Sequence, residues 1–368
     1  MTRAYLDHAS TSPARPHVVE AMLPWLTGEG AADPGRVHTE GRMARVAVET
    51  AREQVAALLG ARPRSVVFTS GATEAINAAV WGAAAARPDQ PVIASAVEHS
   101  AVRDASARHS VVEWPVDGFG RMQPADIPAD AALVHCQWGN HEVGTLQPVR
   151  DVIEAAHAVG VLVHVDAAAA MGHADIAFDD VGADLLSVSA HKFGGPKGIG
   201  ALVVRRGLRI DPLLLGGEQE RARRGGLENV PAIVGFGAAC TALDIDAEAA
   251  RNREQTRRVL ASALAVDGVV AYGDADDAGR LPHIACIGVD GVEAEAVLLG
   301  LDQAGIAAHS GSACSSESLE PSPVLAAMGV DAERSLRVSV GWSTTDADID
   351  AFLDAFPRVV ARLRSLRG

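Results

Sequence analysis

Five short stretches of the chain hold residues able to do covalent or acid–base chemistry. Thr69-Ser-Gly-Ala-Thr-Glu74 follows an apolar run and opens an Ala-rich one. Gly71 allows a tight turn there, and the amides of Ala72 and Thr73 with the Thr73 hydroxyl suit a phosphate at a helix N-terminus. A plain helix cap is the alternative, since Thr is a favoured capping residue. Asp166 ends the run Val161-Leu-Val-His-Val-Asp166, where a carboxylate is costly unless it meets a cation. Ser187-Val-Ser-Ala-His-Lys192 ends another strand, with Phe193-Gly-Gly-Pro-Lys-Gly198 behind it. Taken alone, Lys192 is a solvated loop charge. Beside Asp166 and a phosphate loop it reads as the Schiff-base lysine of pyridoxal phosphate. The acid then faces the pyridine nitrogen, and Ser189 and His191 add phosphate contacts.

His99, in Ala96-Val-Glu-His-Ser100, also follows a strand. A lone histidine is more often structural, but this position suits stacking on a cofactor ring and relaying protons. Of the four cysteines, Cys136, Cys240 and Cys286 lie in apolar patterns and read as core residues. Cys314 lies instead in the polar Ser/Gly stretch His309-Ser-Gly-Ser-Ala-Cys-Ser-Ser-Glu317, which places it as the nucleophile rather than a bland loop thiol. A GxxxxGK[ST] loop, a GxSxG elbow, an HExxH pair and a paired CxxC are all missing, which disfavours nucleotide hydrolysis, serine hydrolysis and zinc chemistry.

The elements that must carry these residues alternate. A helix over Arg42–Leu59, a strand over Ser65–Thr69 and a helix from Thr73 to about Ala86 come first. Strands follow at Val92–Ala96, Ala132–Gln137, Val161–Asp166, Asp184–Ser189 and Gly200–Arg205, with a helix over Val149–Val159. Near-continuous apolar strands between helices predict a doubly wound, largely parallel α/β sheet, whose C-terminal strand edge is the usual ligand site. Beyond about residue 245 the texture becomes smaller α+β, closing on an amphipathic helix Asp346–Leu366 that Pro357 should kink.

At 368 residues the chain suits two domains. The balance of 32 basic and 47 acidic residues, a net −15, excludes a basic nucleic-acid footprint and suits a basic carrier protein. Four cysteines form no disulfide framework, no apolar run reaches bilayer length and no signal-peptide apolar region is present, so a reduced, cytoplasmic setting is expected.

Together these motifs resemble the cysteine desulfurases of the iron–sulfur-cluster and nitrogen-fixation group. The likeness runs nearly end to end: YLDHAS, FTSGATEA, EHSAV, HEVGTLQPV, HVDAA, SAHKFGGPKGIGAL, GGEQER, SGSACSS with LEPS, and LRVSVGWSTT. It implies a pyridoxal-phosphate-dependent transferase of fold type I, with a mostly parallel seven-stranded sheet in a large domain (15–245). A small domain (1–14 and 246–368) would carry the cysteine loop at about 309–320. Lys192 would hold the cofactor and shuttle the Cα proton, Asp166 pair with the pyridinium, and His99 stack on the ring. Ala72, Thr73, Ser189 and His191 would bind the phosphate, and Arg337 the substrate carboxylate. Cys314 would take sulfur from L-cysteine as a persulfide, leaving alanine, in a homodimer that hands sulfur to an acceptor protein.

Four positions depart from the family pattern: His141 for the second Asn of NNE, Ala169 for Gln, Leu227 for a Thr reaching the partner's phosphate, and Trp342 for Arg. His141 could replace the Asn contact to the cofactor's phenolic oxygen, with Ala169 leaving room for it. Two other readings stand beside the desulfurase. One is a related C–S or selenocysteine lyase or aminotransferase; the other is a noncatalytic partner protein, against which Lys192 and Cys314 argue.

Overall fold

The computed structural model describes residues 3–27, 32–84, 87–310 and 321–366; Cys314 lies outside them. A short strand, β1 (Ala4–Tyr5), precedes helices α1 (Pro16–Leu26) and α2 (Thr39–Leu58). A seven-stranded sheet follows, built from β2 (Val66–Thr69), β3 (Val92–Ser95), β4 (Val111–Trp114), β5 (Leu133–Gln137), β6 (Leu162–Asp166), β7 (Leu185–Ser189) and β8 (Gly200–Val204). The strand order is β2-β8-β7-β6-β5-β3-β4. β8 runs antiparallel to both neighbours, and every other pairing is parallel.

The central strands are apolar because both faces are covered: Val134, Val163, Val165, Leu186 and Val188 are fully buried. Helices α3 (Ala72–Ala84), α4 (Ser100–Ser106) and α5 (Val149–Ala158) lie between successive strands in the chain. On α5, Val149, Val152, Ile153 and Ala156 form the buried stripe at helical spacing. β2 and β7 each pair antiparallel with β8, so β2 ends on the same edge as β3, β5, β6 and β7. That edge gathers Thr69, Gln137, Asp166 and Ser189.

Strands β9 (Val269–Tyr272), β10 (Ile284–Val289), β11 (Ile306–Ala307), β12 (His309–Ser310) and β13 (Ser335–Ser339) come later in the chain. Four of them form an antiparallel sheet in the order β12-β13-β10-β9, while β11 pairs parallel with β1. A separate apolar cluster joins Leu6, Ile287, Leu336, Val338, Phe352 and Phe356 around this second sheet. Between the sheets, helices Val230–Thr241 and Ile245–Leu264 meet at a bend of 79°. No single helix among the described residues is long and apolar enough to cross a membrane.

The last helix, Asp346–Ser365, includes Pro357 and runs on past it as one helix. Buried Ile349, Phe352, Phe356 and Val360 lie on both sides of the proline and hold the two halves on one core. Its start is fixed by a capping box: Asp348 N–H donates to Thr345 Oγ1 (3.2 Å) and Thr345 N–H to Asp348 Oδ2 (2.8 Å).

Candidate active site

One cavity of about 440 Å³ opens at the C-terminal strand edge. Ala72, Thr73, His99, His141, Asp166, Ser189, His191 and Lys192 all line it, as does Ala169. Residues spread over more than a hundred positions therefore meet because parallel strands end together.

Asp166 is mostly buried at the tip of β6. Its Oδ1 accepts from Ala168 N–H (3.0 Å) and from the Ser187 hydroxyl (3.2 Å). These donors orient the carboxylate toward the cavity that Asp166 lines. Lys192 follows β7 on a short 3₁₀ turn, Ala190–Lys192. Its Nζ donates to the Ala9 carbonyl (2.5 Å), and its own carbonyl accepts from Ser12 Oγ (2.9 Å). Below that turn, His173 and His283 stack at 3.5 Å between ring centroids. Burial drives the His173 imidazole down to about 3 and the His8 imidazole to about 4. Both rings are neutral at pH 7, so they add no positive charge beside the lysine.

The phosphate-sized end has a different character. α3 begins at Ala72, Ser70 N–H donates to Glu74 Oε2 (2.8 Å), and Arg224 pairs with Glu74 (2.9 Å). Ser189 Oγ is buried with no hydrogen-bond partner among the described residues. His191 Nδ1 lies 3.2 Å from Thr11 Oγ1. Burial first, then Lys192 and Lys197, lower its imidazole to about 4.

His99 caps α4, with Ala101 N–H donating to its Nδ1 (3.1 Å). In the neutral ring, Nε2 therefore carries the proton. Its ring stands edge-on to that of His141 at 5.0 Å. His141 Nε2 is 3.5 Å from Glu142 Oε1, and Glu142 Oε2 accepts from Ser322 Oγ (2.5 Å).

Arg337 is not among the cavity-lining residues. It is 1% exposed, pairs with Asp7 (3.1 Å) and donates to the His141 carbonyl (2.9 Å). Its Nε has no partner among the described residues. Leu227 lines an adjoining cavity of about 140 Å³ that shares Ser70 and Gly198 with the main one. Trp342 donates from Nε1 to the Pro13 carbonyl (2.8 Å) and lies 5.5 Å under the Arg15 guanidinium.

The class-V aminotransferase family matches residues 4–352. The chain belongs to that family. Among its relatives, cysteine desulfurase IscS 1 of Archaeoglobus fulgidus is 40% identical, over 98% of this chain and 98% of that protein. A cysteine desulfurase of Trichormus azollae is 42% identical, over 100% of this chain and 95% of its own length. A solved structure titled NifS-like protein superposes with a TM-score of 0.89 at 32% identity, covering 98% of this chain and all of that one. Another, titled SspA in complex with cysteine, gives 0.81 at 30% identity over 92% of this chain and 99% of its own.

Class-V aminotransferases and cysteine desulfurases depend on pyridoxal phosphate, and this cavity fits that cofactor. An unpartnered buried hydroxyl and a helix N-terminus suit the phosphate at one end. An oriented carboxylate suits the ring nitrogen at the other. The cavity also includes residues that the motifs alone pass over: Thr11, Gln137 and Lys197 line it. Lys197 is legible in the sequence as the lysine of the Phe193–Gly198 loop. Gln137 and Thr11 carried no signal beyond their positions.

Proposed function

We propose that this class-V aminotransferase works as a pyridoxal-phosphate-dependent cysteine desulfurase, converting L-cysteine to L-alanine and storing the released sulfur as a persulfide on Cys314. The observation that carries the reading is the meeting of Lys192, Asp166 and Ser189 in one cavity, in a chain alike over its full length to proteins named cysteine desulfurase. That likeness favours a desulfurase over a lyase, an aminotransferase or a noncatalytic partner.

Bound cofactor supplies an electron sink that weakens the Cα–H and Cβ–S bonds of cysteine. Nζ of Lys192 holds the cofactor and takes the Cα proton. Asp166 would hold the proton of the ring nitrogen, and His99, whose Nδ1 is taken by the Ala101 N–H, would lie against the ring with Nε2 left for proton transfer. Amides at Ala72 and Thr73, together with Ser189 and His191, would hold the phosphate, and His141 would supply a hydrogen bond for the phenolic oxygen. Arg337 would take the substrate carboxylate with its planar fork, exchanging for it the hold that Asp7 and the His141 carbonyl have on that fork. Cys314 attacks the substrate sulfur: an S–S bond forms, the Cβ–S bond breaks, and its electron pair stays on Cβ, which gains a proton. No external oxidant is needed.

The division of labour follows two domains, with residues 15–245 holding the cofactor and residues 1–14 and 246–368 presenting the sulfur-accepting cysteine. The protein acts as a homodimer, for which exposed Val19, Leu23 and Leu26 on α1 and Met43 and Val46 on α2 supply apolar surface. A sulfur-acceptor protein receives the persulfide. A reducing, cytoplasmic compartment suits this chemistry and the free thiols of Cys136, Cys240 and Cys286.

The test incubates the cofactor-loaded protein with L-cysteine and a reductant. Alanine and sulfide should appear in equal amounts, and Cys314→Ala should lose both. Undiminished production in that variant would overturn the persulfide route.

A further inference from the structure

Glu98 stands directly behind the cavity wall, in the motif where His99 drew the attention. Its side chain is fully buried (0% exposed). Oε1 accepts from the backbone N–H of Gln137 (2.8 Å), the last residue of β5, whose side chain lines the cavity. Gln137 is the register partner of Asp166 on β6. Oε2 is buried with no hydrogen-bond partner among the described residues. An ionised carboxylate oxygen left bare in such a place is far more costly than a neutral acid.

We propose that Glu98 is a positioning residue, a neutral carboxylic acid that braces the Gln137 end of β5 and leaves Asp166 as the negative charge facing the cavity. The charged and titratable groups around it are Asp166 from β6, His141 from the turn after β5, Arg103 from α4 and the Cys136 thiol of β5. Burial and, next, the nearby Asp166 carboxylate push the Glu98 carboxyl up to about 8, against smaller opposing effects of the Gln137 amide, His141 and Arg103. A carboxylate at Glu98 would place two like charges behind the ring nitrogen and blunt the specific pairing at Asp166. That consequence at the ring rests on the cofactor-binding role of Asp166 given above. The state of Glu98 itself does not.

Infrared difference spectra of the full chain, wild type minus Glu98→Gln, test the protonation directly, with cofactor loaded and with it stripped. The carbonyl stretch of a protonated carboxylic acid should be present at pH 7, absent from the variant, and titrate away near pH 8 in the stripped protein. Absence of the band at pH 7 in both forms overturns the proposal. If the variant does not fold, the pH titration of the wild-type band alone gives the same answer.

The bracing role is read from pyridoxal phosphate affinity. Glu98→Ala leaves the Gln137 N–H buried and unpaired and should bind the cofactor about tenfold more weakly. Glu98→Gln keeps the acceptor and should restore most of that affinity. Equal affinity in Glu98→Ala and wild type overturns the brace. If neither Lys192 nor Asp166 variants alter cofactor binding, the reading of the cavity fails while the infrared result still stands.

Discussion

Lys192 is fixed from two sides, with Nζ on the Ala9 carbonyl and its own carbonyl taking the Ser12 hydroxyl. Both partners come from the segment before α1, some 180 residues away. At this scale the most individual residue is His141, whose ring meets His99 edge-on and whose far side meets Glu142. Replacing it by the residue more usual in the family, His141→Asn, should move the pH midpoint of the bound cofactor's visible absorbance toward that of ordinary members. An unchanged midpoint would show that His141 does not touch the ring's titration. Asp166 and Ser189 are legible because each ends an apolar strand, and Lys192 because it lies just beyond one, where a polar side chain needs a reason. Asp7 was not legible as a partner of Arg337, since the two lie 330 positions apart and only the fold joins them. Glu98 hid beside a histidine that explained its motif well enough.

Among the elements, the turn at Glu220, Arg221 and Ala222 holds the non-glycine residues of positive φ among the described ones, at 49°, 60° and 60°. What holds it is Arg52 on α2, whose fork meets the Glu220 carboxylate at 2.7 and 2.8 Å while Phe68 N–H donates to the same group (2.9 Å). Both side chains are nearly inaccessible to water. Arg52→Met should therefore cost about 3–5 kcal/mol, because it strands a buried carboxylate, as a denaturant titration can measure. The capping box of the last helix is a smaller device. Thr345→Ala should cost about 1 kcal/mol, seen as a lower thermal midpoint with the site's cofactor spectrum unchanged. The buried strands could be read from sequence because continuous apolar runs demand two covered faces. The antiparallel run of β8 could not, as burial carries no direction. Neither could edge strand β4, whose Val111, Val112 and Glu113 are exposed, nor a left-handed turn written in ordinary residues.

For the whole molecule, buried histidines set the acid limit. His135 and His164 face each other through Nδ1 at 2.8 Å inside the sheet, and His173 stacks on His283 beside His8. Burial holds His135 and His173 near 3 and His8 near 4, and pushes His164 and His283 lower than an ordinary imidazole. The unfolded chain binds these protons from about pH 6.5 downward, whereas the folded one refuses them until far lower. Stability contributed by the neutral rings is thus complete above pH 6.5 and is lost as pH falls toward their folded values. The thermal midpoint should drop steeply between pH 6.5 and 4, and a flat midpoint over that range would contradict the assignment. The change of texture near residue 245 marks where a second, antiparallel sheet with its own apolar cluster follows the first, but nothing in the sequence tells how the chain's early residues join that later part. β1 pairs with β11, about 300 residues downstream, and Asp7 bridges to Ser339. On a ribosome making roughly 5–20 residues per second, the early segment waits roughly 15–60 s for its partners. During that time Ala9 and Ser12 have no second sheet to seat them against Lys192. A nascent chain can therefore build its central sheet well before its reactive lysine is clamped, so that catalytic competence waits until the strands near residues 306–339 have been made.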